Sequence, residues 1–524
     1  MLTALPHQRD RSPGPRPEDG QATDVIPRQQ DDRPPEPARR DLTWLLAFPP
    51  ALLTVAIAGH EVGRRQLWED EYATWHASTM TLSQLKLLLS HMDLVLAPYY
   101  LFMHGWILLF GDSPTALRAP SIIAMTLAAG LVTLVGRRLF HPTAGLTAGL
   151  LFALVPTVSR YGQEARPYAL VVCLVTLATL LFLRALDNPT WRRWLGYGLC
   201  MVAVGGTHIV GVTVMAAHLL AARRFARVTG RLRHWRILGP AVLVVSVIGP
   251  FAMYASRESA AIAWIKVDKR TLLRLPYNLF GSWALAATLA GLALVAAALL
   301  LPARRRQPLV LLGTWALFPP LFTLATFPLL HLFLYRYLLF TIPAWALLAA
   351  HGVDGLARLV TPRARTAVAV LAAGSVLAVL GWSVVPDQRA VRRRLVEGSP
   401  DYSAVAHVIS AELQPGDGIA FGGSKYLARR GLEYELRWAT MPRDVFLVAS
   451  YAQVGGFVAR ECRVPAFCLG DVKRIWLVNT APGNNPYADM PAMNADLLRT
   501  RFRIAKDRRF TGVHLLLLTL RPAK

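Results

Sequence analysis

Three consecutive carboxylates, Glu69–Asp70–Glu71, lie between Trp68 and Tyr72, with Trp75 one helical turn further on. Carboxylates among aromatic rings lose part of their hydration, which disfavours the charged form and moves the group toward the working range of a general base. The plainer alternative is a solvated acidic loop. A second polar set follows: His91, Asp93, Tyr99, Tyr100 and His104. Imidazole and carboxylate are metal ligands, but His-x-Asp is a short signal and His104 stands in an apolar stretch. Polar groups that cap and orient a surface helix are the preferred reading. On that reading His91, Asp93 and Tyr99 are substrate-binding candidates and no metal is expected.

The third set is Arg160–Tyr161–Gly162–Gln163–Glu164–Ala165–Arg166–Pro167–Tyr168, between two apolar runs. Ionisable residues at the end of a membrane span face a cavity or one another rather than lipid, and Pro167 suits the first turn of the next helix. A structural ion pair between Glu164 and Arg166 is the alternative. The fourth set is Tyr335–Arg336–Tyr337. An arginine at this level can snorkel to water, or it can grip a lipid phosphate through two parallel hydrogen bonds. Lys266, Lys269, Arg270 and Arg274 fall on the same side of the membrane, where basic residues are otherwise scarce; an anionic headgroup or lipid phosphate supplies a reason.

The elements that position these residues follow from composition. Of 524 residues, 54% are hydrophobic and 17% charged, with a mean hydropathy of +0.36; soluble domains carry roughly 25% charged residues. Apolar runs near the ~20 residues that cross a bilayer recur through residues 41–385. The net charge of +25 sits in short arginine clusters between those runs, so it reports topology and not a nucleic-acid partner. Arg39–Arg40, Arg137–Arg138, Arg192–Arg193, Arg223 to Arg236, Arg304–Arg306 and Arg363–Arg365 are assigned to the cytoplasm. Crossings then run over 42–60, 117–136, 143–160, 167–185, a hairpin within 194–222 turning near Gly205–His208, 237–255, 282–301, 308–330, 336–356 and 366–385.

That makes about eleven spans of a multi-pass plasma-membrane protein, with the N-terminus inside and the C-terminus outside. Residues 94–110 are apolar too, but a crossing there would put Arg137–Arg138 and Arg192–Arg193 outside. They are predicted to form a helix along the outer surface. With a second helix over 72–90, carrying Leu82, Leu85, Leu88 and Leu89 on one face, they make residues 61–116 an external platform. The first forty residues, rich in Pro, Arg, Asp and Gln, lack the apolar surface to fold and the apolar core of a signal peptide. A disordered cytoplasmic tail is expected.

Residues 386–524 change character. Gly418–Phe421, Val445–Ala449, Ile475–Val478 and His514–Leu520 read as strands, helical patterns cover 402–413 and 492–502, and Pro415–Gly416–Asp417–Gly418 is a turn signal. A small α/β domain outside the membrane is expected. Cys462 and Cys468 are expected to be bridged there, with two free thiols as the alternative. Cys173 and Cys200 lie in apolar spans and read as packing residues.

The segments Trp68-x-Asp70–Glu71, Pro98–Tyr99–Tyr100, Leu117–Arg118-x-Pro120–Ser121, Gly136–Arg137–Arg138–Leu139, Tyr161-x-Gln163–Glu164–Ala165–Arg166–Pro167–Tyr168 and Arg336–Tyr337 occur in this order. Together they resemble glycosyltransferase family 39, of the GT-C fold, whose relatives include protein O-mannosyltransferases and bacterial aminoarabinose transferases of lipid A. The resemblance covers about residues 60–360. It implies an inverting transferase that moves a sugar, mannose or a related one, from a polyprenyl-phosphate donor to a cell-envelope glycan, glycolipid or protein on the outer face, without a cofactor.

On that resemblance Asp70 is the general base, with Glu71 beside it. Arg336, with Tyr337, lies near the donor phosphate, and Arg166 and Lys266 join it as phosphate candidates. Tyr161, Gln163, Glu164 and Tyr168 are substrate-side. The sequence departs from the family at His91–Met92–Asp93, where many members carry a His–Pro–Pro turn, and the C-terminal domain is unlike the protein-mannosylating branch. A lipid transporter or flippase shares the spans, but such proteins often carry internal repeats and none is found. A cysteine placed at position 137 is expected to react with impermeant reagents from the cytoplasmic side; labelling from the outside alone overturns the topology.

Overall fold

A computed structural model describes residues 41–230, 235–257, 262–302, 306–358, 365–423 and 425–522. The tail read at 1–40 and parts of the arginine clusters at 231–234, 303–305 and 359–364 lie outside the described residues. Backbone in lipid must satisfy its own hydrogen bonds, so the apolar runs become helices. A 3-10 turn (Thr43–Ala47) leads into α1 (Phe48–Gly59); three short helices follow, α2 (Glu69–Thr79), α3 (Leu82–His91) and α4 (Ala97–Phe110). Then come α5 (Pro114–Leu139), the bent pair α6 (Pro142–Leu154) and α7 (Pro156–Gly162), α8 (Tyr168–Asp187), α9 (Trp191–Thr207), α10 (Val214–Thr229) and α11 (Trp235–Ala255). The bundle is completed by α12 (Lys269–Phe280), α13 (Trp283–Leu300), α14 (Arg306–Ala325), α15 (Phe327–Leu330), a 3-10 turn (Tyr335–Thr341), α16 (Ile342–Arg358), α17 (Arg365–Ser383) and α18 (Val385–Val391).

Among the described residues, seven helical stretches are long and apolar enough to cross a membrane, or up to nine if the bent pairs α6–α7 (64°) and α17–α18 (48°) each count once. The remaining two of the eleven expected crossings are helical but short. Thr43–Gly59 falls below the length of a full span, and α9 has 17 residues, against the ~20 that cross a bilayer. The hairpin turns at His208, at the end of α9. Residues 94–110 form a 3-10 turn and α4, again shorter than a span.

The single helix expected over 72–90 is corrected to two. The Thr81 hydroxyl accepts from the Gln84 N–H (3.3 Å) while the Thr81 N–H donates to the Gln84 side chain (3.0 Å), a capping box that starts a new helix. The expected leucine face is narrower than read: Leu85 and Leu88 are buried, Leu89 is half-buried and Leu82 is exposed.

The C-terminal segment folds as α19 (Tyr402–Glu412), β1 (Gly418–Gly422), α20 (Lys425–Glu435), β2 (Arg443–Asp444), β3 (Leu447–Ala449), α21 (Tyr451–Val454), β4 (Arg460–Glu461), α22 (Pro465–Leu469), β5 (Arg474–Asn479), α23 (Ala492–Arg501), β6 (Phe502–Phe510) and β7 (Val513–Leu520). The five-stranded sheet runs β2-β1-β5-β7-β6, with β3 and β4 paired apart from it. β1 is parallel to β2 and β5, and β7 is antiparallel to β5 and β6. The strand read at 445–449 is shortened to β3, because Val445 and Phe446 form the turn that separates it from β2. β6 escaped notice because it is an edge strand whose Lys506, Asp507, Arg508 and Arg509 break any apolar alternation; charges on an edge also deter pairing with other chains. Cys462 and Cys468 are bridged.

One hydrophobic cluster joins the platform to this segment. Leu67, Tyr72, Leu85, Leu88 and Tyr100 pack with Val405, Phe421, Tyr434 and Trp476. Polar contacts fix the register: Tyr72 donates to Glu435 (3.0 Å), and Gln66 donates to the Pro400 carbonyl (2.8 Å) while accepting from the Ser403 N–H (2.9 Å).

Candidate active site

The expected base lies in the first turn of α2. Successive residues of an α-helix point about 100° apart, so Asp70 and Glu71 leave the backbone in different directions. Glu71 points inward and is fully buried against Arg118 of α5. Arg118 Nε and Nη2 each donate to one Glu71 oxygen at 2.8 Å. Its three other N–H groups reach the carbonyls of Val62 (2.7 Å), Arg65 (2.9 Å) and Gln66 (3.3 Å). All five guanidinium donors are used, in a fork that no lysine reproduces.

Glu71 also accepts from the Ala165 N–H (2.9 Å) and the Trp68 N–H (3.4 Å). Burial pushes its carboxyl up, but the Arg118 charge and hydrogen bonds more than reverse this and leave it below the usual glutamate range. Its oxygens are thus committed, and the catalytic reading of Glu71 has no free lone pair facing a substrate.

Asp70 points outward and is 26% exposed. Its Oδ2 faces two cations from distant segments: Arg336 Nη1 at 3.3 Å and Arg166 Nε at 3.8 Å. These are ion-pair contacts without hydrogen bonds; Asp70 Oδ2, Arg166 Nε and Arg336 Nε are all buried atoms lacking a hydrogen-bond partner. The Arg336 guanidinium also lies 5.5 Å from the Trp68 ring centre, 5.8 Å from Trp264 and 5.9 Å from Tyr168, within the range of cation–π attraction. Tyr337 packs on His208 (4.7 Å between ring centres) and Tyr168 (6.1 Å). Two arginines with unsatisfied donors, walled by aromatic rings, suit a phosphate oxygen and an apolar chain.

The other expected residues divide. Asp93 is half-buried, sits in the left-handed backbone region (φ 59°) and accepts from the Tyr100 hydroxyl (2.7 Å). Burial pushes its carboxyl up, against the pull of Tyr100 and Arg166. Tyr99 is buried with a hydroxyl that has no hydrogen bond. Tyr161 backs the site, its ring edge-on to Tyr168 at 5.5 Å. Glu164 is buried; burial pushes it up, opposed by Arg160 and Arg65.

Gln163 is drawn elsewhere: its amide donates to the carbonyls of Ala58 (2.9 Å) and His60 (2.7 Å), closing the end of α1. His91 is exposed at the end of α3 and hydrogen-bonds the Leu87 carbonyl (3.0 Å). His104 bonds the Ser78 carbonyl (2.9 Å), so His91, Asp93 and His104 have separate partners, and among the described residues no cluster of His, Cys, Asp and Glu could hold a metal. Lys266 is exposed two residues beyond Trp264. A cavity of about 240 Å³ opens on the other side of the acidic run, between platform and C-terminal segment; Trp68, Glu69, Tyr72, Tyr402 and Arg430 line it. Glu69 thus faces that cavity and Asp70 faces the arginines.

Sequence reasoning missed the roles of Arg118 and Trp264. An arginine one turn into an apolar helix was itself a signal; Trp264 stands in an irregular loop and gave none.

Residues 97–254 match the model of the dolichyl-phosphate-mannose-protein mannosyltransferase family, a stretch holding Tyr99, Arg118 and Tyr161–Tyr168 but neither Asp70 nor Arg336. No curated protein matches the chain. Among solved structures, ArnT from Cupriavidus metallidurans bound to undecaprenyl phosphate is similar over 90% of this chain and 97% of its own, with a TM-score of 0.56 and 16% identity. The apo state of that ArnT gives the same TM-score at 15% identity. The apo oligosaccharyltransferase of Archaeoglobus fulgidus is similar over 84% of this chain and 70% of its own, with a TM-score of 0.48 and 12% identity. At such identities the likeness to ArnT is one of fold, and the GT-C membrane architecture read from the sequence is borne out.

The buried pair yields a test. Glu71→Ala leaves Arg118 uncompensated and is expected to cost about 3–5 kcal/mol, while the double substitution E71L/R118M recovers part of the loss. Because the folded Glu71 carboxyl titrates below the ordinary glutamate range, its stabilisation is full above that range and fades as pH falls through the folded value. Thermal unfolding of purified protein against pH reads both; E71A as stable as the parent sinks the clamp.

Proposed function

We propose that this chain is a membrane glycosyltransferase that moves a sugar from a polyprenyl-phosphate donor to a hydroxyl of a cell-envelope acceptor, on the non-cytoplasmic face, with inversion. The observation that carries the reading is Asp70 held loosely against Arg336 and Arg166, whose buried Nε donors have no hydrogen bond. Such a seat matches a lipid phosphate, and the aromatic wall of Trp68, Tyr168 and Trp264 matches the first isoprene units. The family stretch at 97–254 and a neighbour of the same fold crystallised with undecaprenyl phosphate support it.

In this scheme the acceptor oxygen bonds to the anomeric carbon as the bond from that carbon to the phosphate oxygen breaks. The proton passes to Asp70, and the new negative charge stays on the departing phosphate. Arg336 and Arg166 stabilise that anion, which therefore needs no protonation. Arg336 holds the donor, with Tyr337 fixing the ring stack beside it, and Lys266 offers a further positive charge at the entrance. Glu71 is a positioning residue that acts through the backbone of α2. Asp93 and Tyr99 line the platform side, and the acceptor approaches between platform and C-terminal segment, near Glu69.

The sugar is mannose or a related one, and the acceptor a glycan, glycolipid or protein. The plasma membrane, with the N-terminus inside, is the location that fits the arginine topology.

Asp70→Asn is nearly isosteric and cannot take a proton at this step. It is expected to lower transfer from radiolabelled polyprenyl-phosphate sugar by about 10²–10⁴-fold with little change in unfolding temperature. Full transfer by Asp70→Asn removes Asp70 as the base.

A further inference from the structure

A second cavity, larger than the one beside Glu69, lies apart from Asp70, Arg166 and Arg336. It has a volume of about 750 Å³ and opens where α1, α6 and α17 end, beside α18. Its floor is apolar, made by Ala56, Ile57, Leu154, Val384 and Val385. Its rim holds Arg64, Arg389, Arg392, Arg393 and Arg394 against one carboxylate, Glu61. This is the end of the bundle that carries the candidate active site, since Arg65 and Gln66 bond the backbone of Val391 and Arg394. By the arginine topology it is the outer face, where five arginines on one rim run against the trend.

Helix ends supply an ordinary reason for basic residues. Unpaired C-terminal carbonyls and the negative end of the helix dipole attract cations. That reason accounts for Arg392, which donates to the Ile57 and Gln388 carbonyls while its Nε stays buried without a partner. Arg64 pairs with Glu61 (2.8 Å) and Arg394 with Asp401. Arg389 and Arg393 are exposed, and neither side chain makes a hydrogen bond or ion pair with the described residues. Their charge above an apolar floor has no partner among the described residues.

We propose that this groove binds the phosphate headgroup of an anionic membrane lipid, at a site separate from the sugar donor's. The acyl chain lies along Ile57, Leu154, Val384 and Val385, and the phosphate meets Arg389 and Arg393, with Arg392 Nε below. Apolar area and headgroup charge then act together, which neither free phosphate nor a zwitterionic lipid can match. The bound lipid wedges α18 against α1. Because Val391 and Arg394 hold Arg65 and Gln66, that wedge bears on the loop leading to Asp70. The proposal does not depend on sugar transfer.

The test uses the full-length protein purified in a neutral detergent, with unfolding temperature as readout. Phosphatidylglycerol is expected to raise it by a few degrees, whereas phosphatidylcholine and inorganic phosphate leave it unchanged. R389Q/R393Q is expected to unfold like the parent without lipid and to lose most of the phosphatidylglycerol shift; R389K/R393K keeps it. An equal shift from inorganic phosphate replaces the lipid with a soluble anion and overturns the proposal. So does an equal shift from phosphatidylcholine, an undiminished shift in R389Q/R393Q, or a shift lost in the lysine pair as well.

Discussion

The buried pair of Glu71 and Arg118 is the constraint on which the candidate site depends. Two charges out of water are costly unless every donor and acceptor finds a partner, and here the guanidinium spends all five N–H groups. Three of those bonds go to backbone carbonyls between Val62 and Gln66, the segment that carries the chain from α1 to the platform. Glu71 reaches the Ala165 N–H, one residue before Arg166. One buried pair therefore ties α5, the α1–α2 connection, α2 and the α7–α8 loop together. Asp70, its neighbour in sequence, can then meet Arg166 and Arg336 in ion-pair contact, with the Nε of each arginine left without a hydrogen bond.

The C-terminal segment closes the same region from the other side. Tyr402, Val405, Phe421, Tyr434 and Trp476 share a core with Leu67, Tyr72, Leu85 and Leu88, so the platform is packed on both faces. This gives a short amphipathic helix such as α3 what it lacks alone: helices of that length are marginal in water and draw their stability from tertiary packing. Rigid elements on both sides hold a site with three charged groups from three segments. The groove at Arg389 and Arg393 lies at the edge of this packing, where the end of α18 meets the start of the platform.

Much of the membrane architecture was legible because arginine clusters and lipid impose blunt rules. The expected crossings are helical, and 94–110 is helical as well, with the same length as the stretch Thr43–Gly59. Local chemistry was less legible. Asp70 and Glu71 are neighbours of the same kind in the sequence, and only helical rotation plus the position of Arg118 separates an open carboxylate from a buried one. The break at Thr81 rested on a capping pair hidden in an apolar pattern. β6 is charged because it is an edge, which erased its alternation. Gln163 belonged to the right loop but turns to the end of α1, a choice set by carbonyls about a hundred residues away. The arginines from Arg389 to Arg394 follow the last apolar run in sequence, and only the fold brings them over the apolar ends of α1 and α6.

In the proposed reaction the labour is divided, with Arg336 holding the lipid phosphate and Asp70 taking the proton. Equilibrium binding of radiolabelled polyprenyl phosphate to purified D70N and R336A protein separates the two roles, since binding requires no proton transfer. The account predicts that D70N binds at least as tightly as the parent, having shed the carboxylate that competes for the arginines, and that R336A binds at least tenfold more weakly, about 1.4 kcal/mol. Weak binding by D70N alongside undiminished binding by R336A would contradict it.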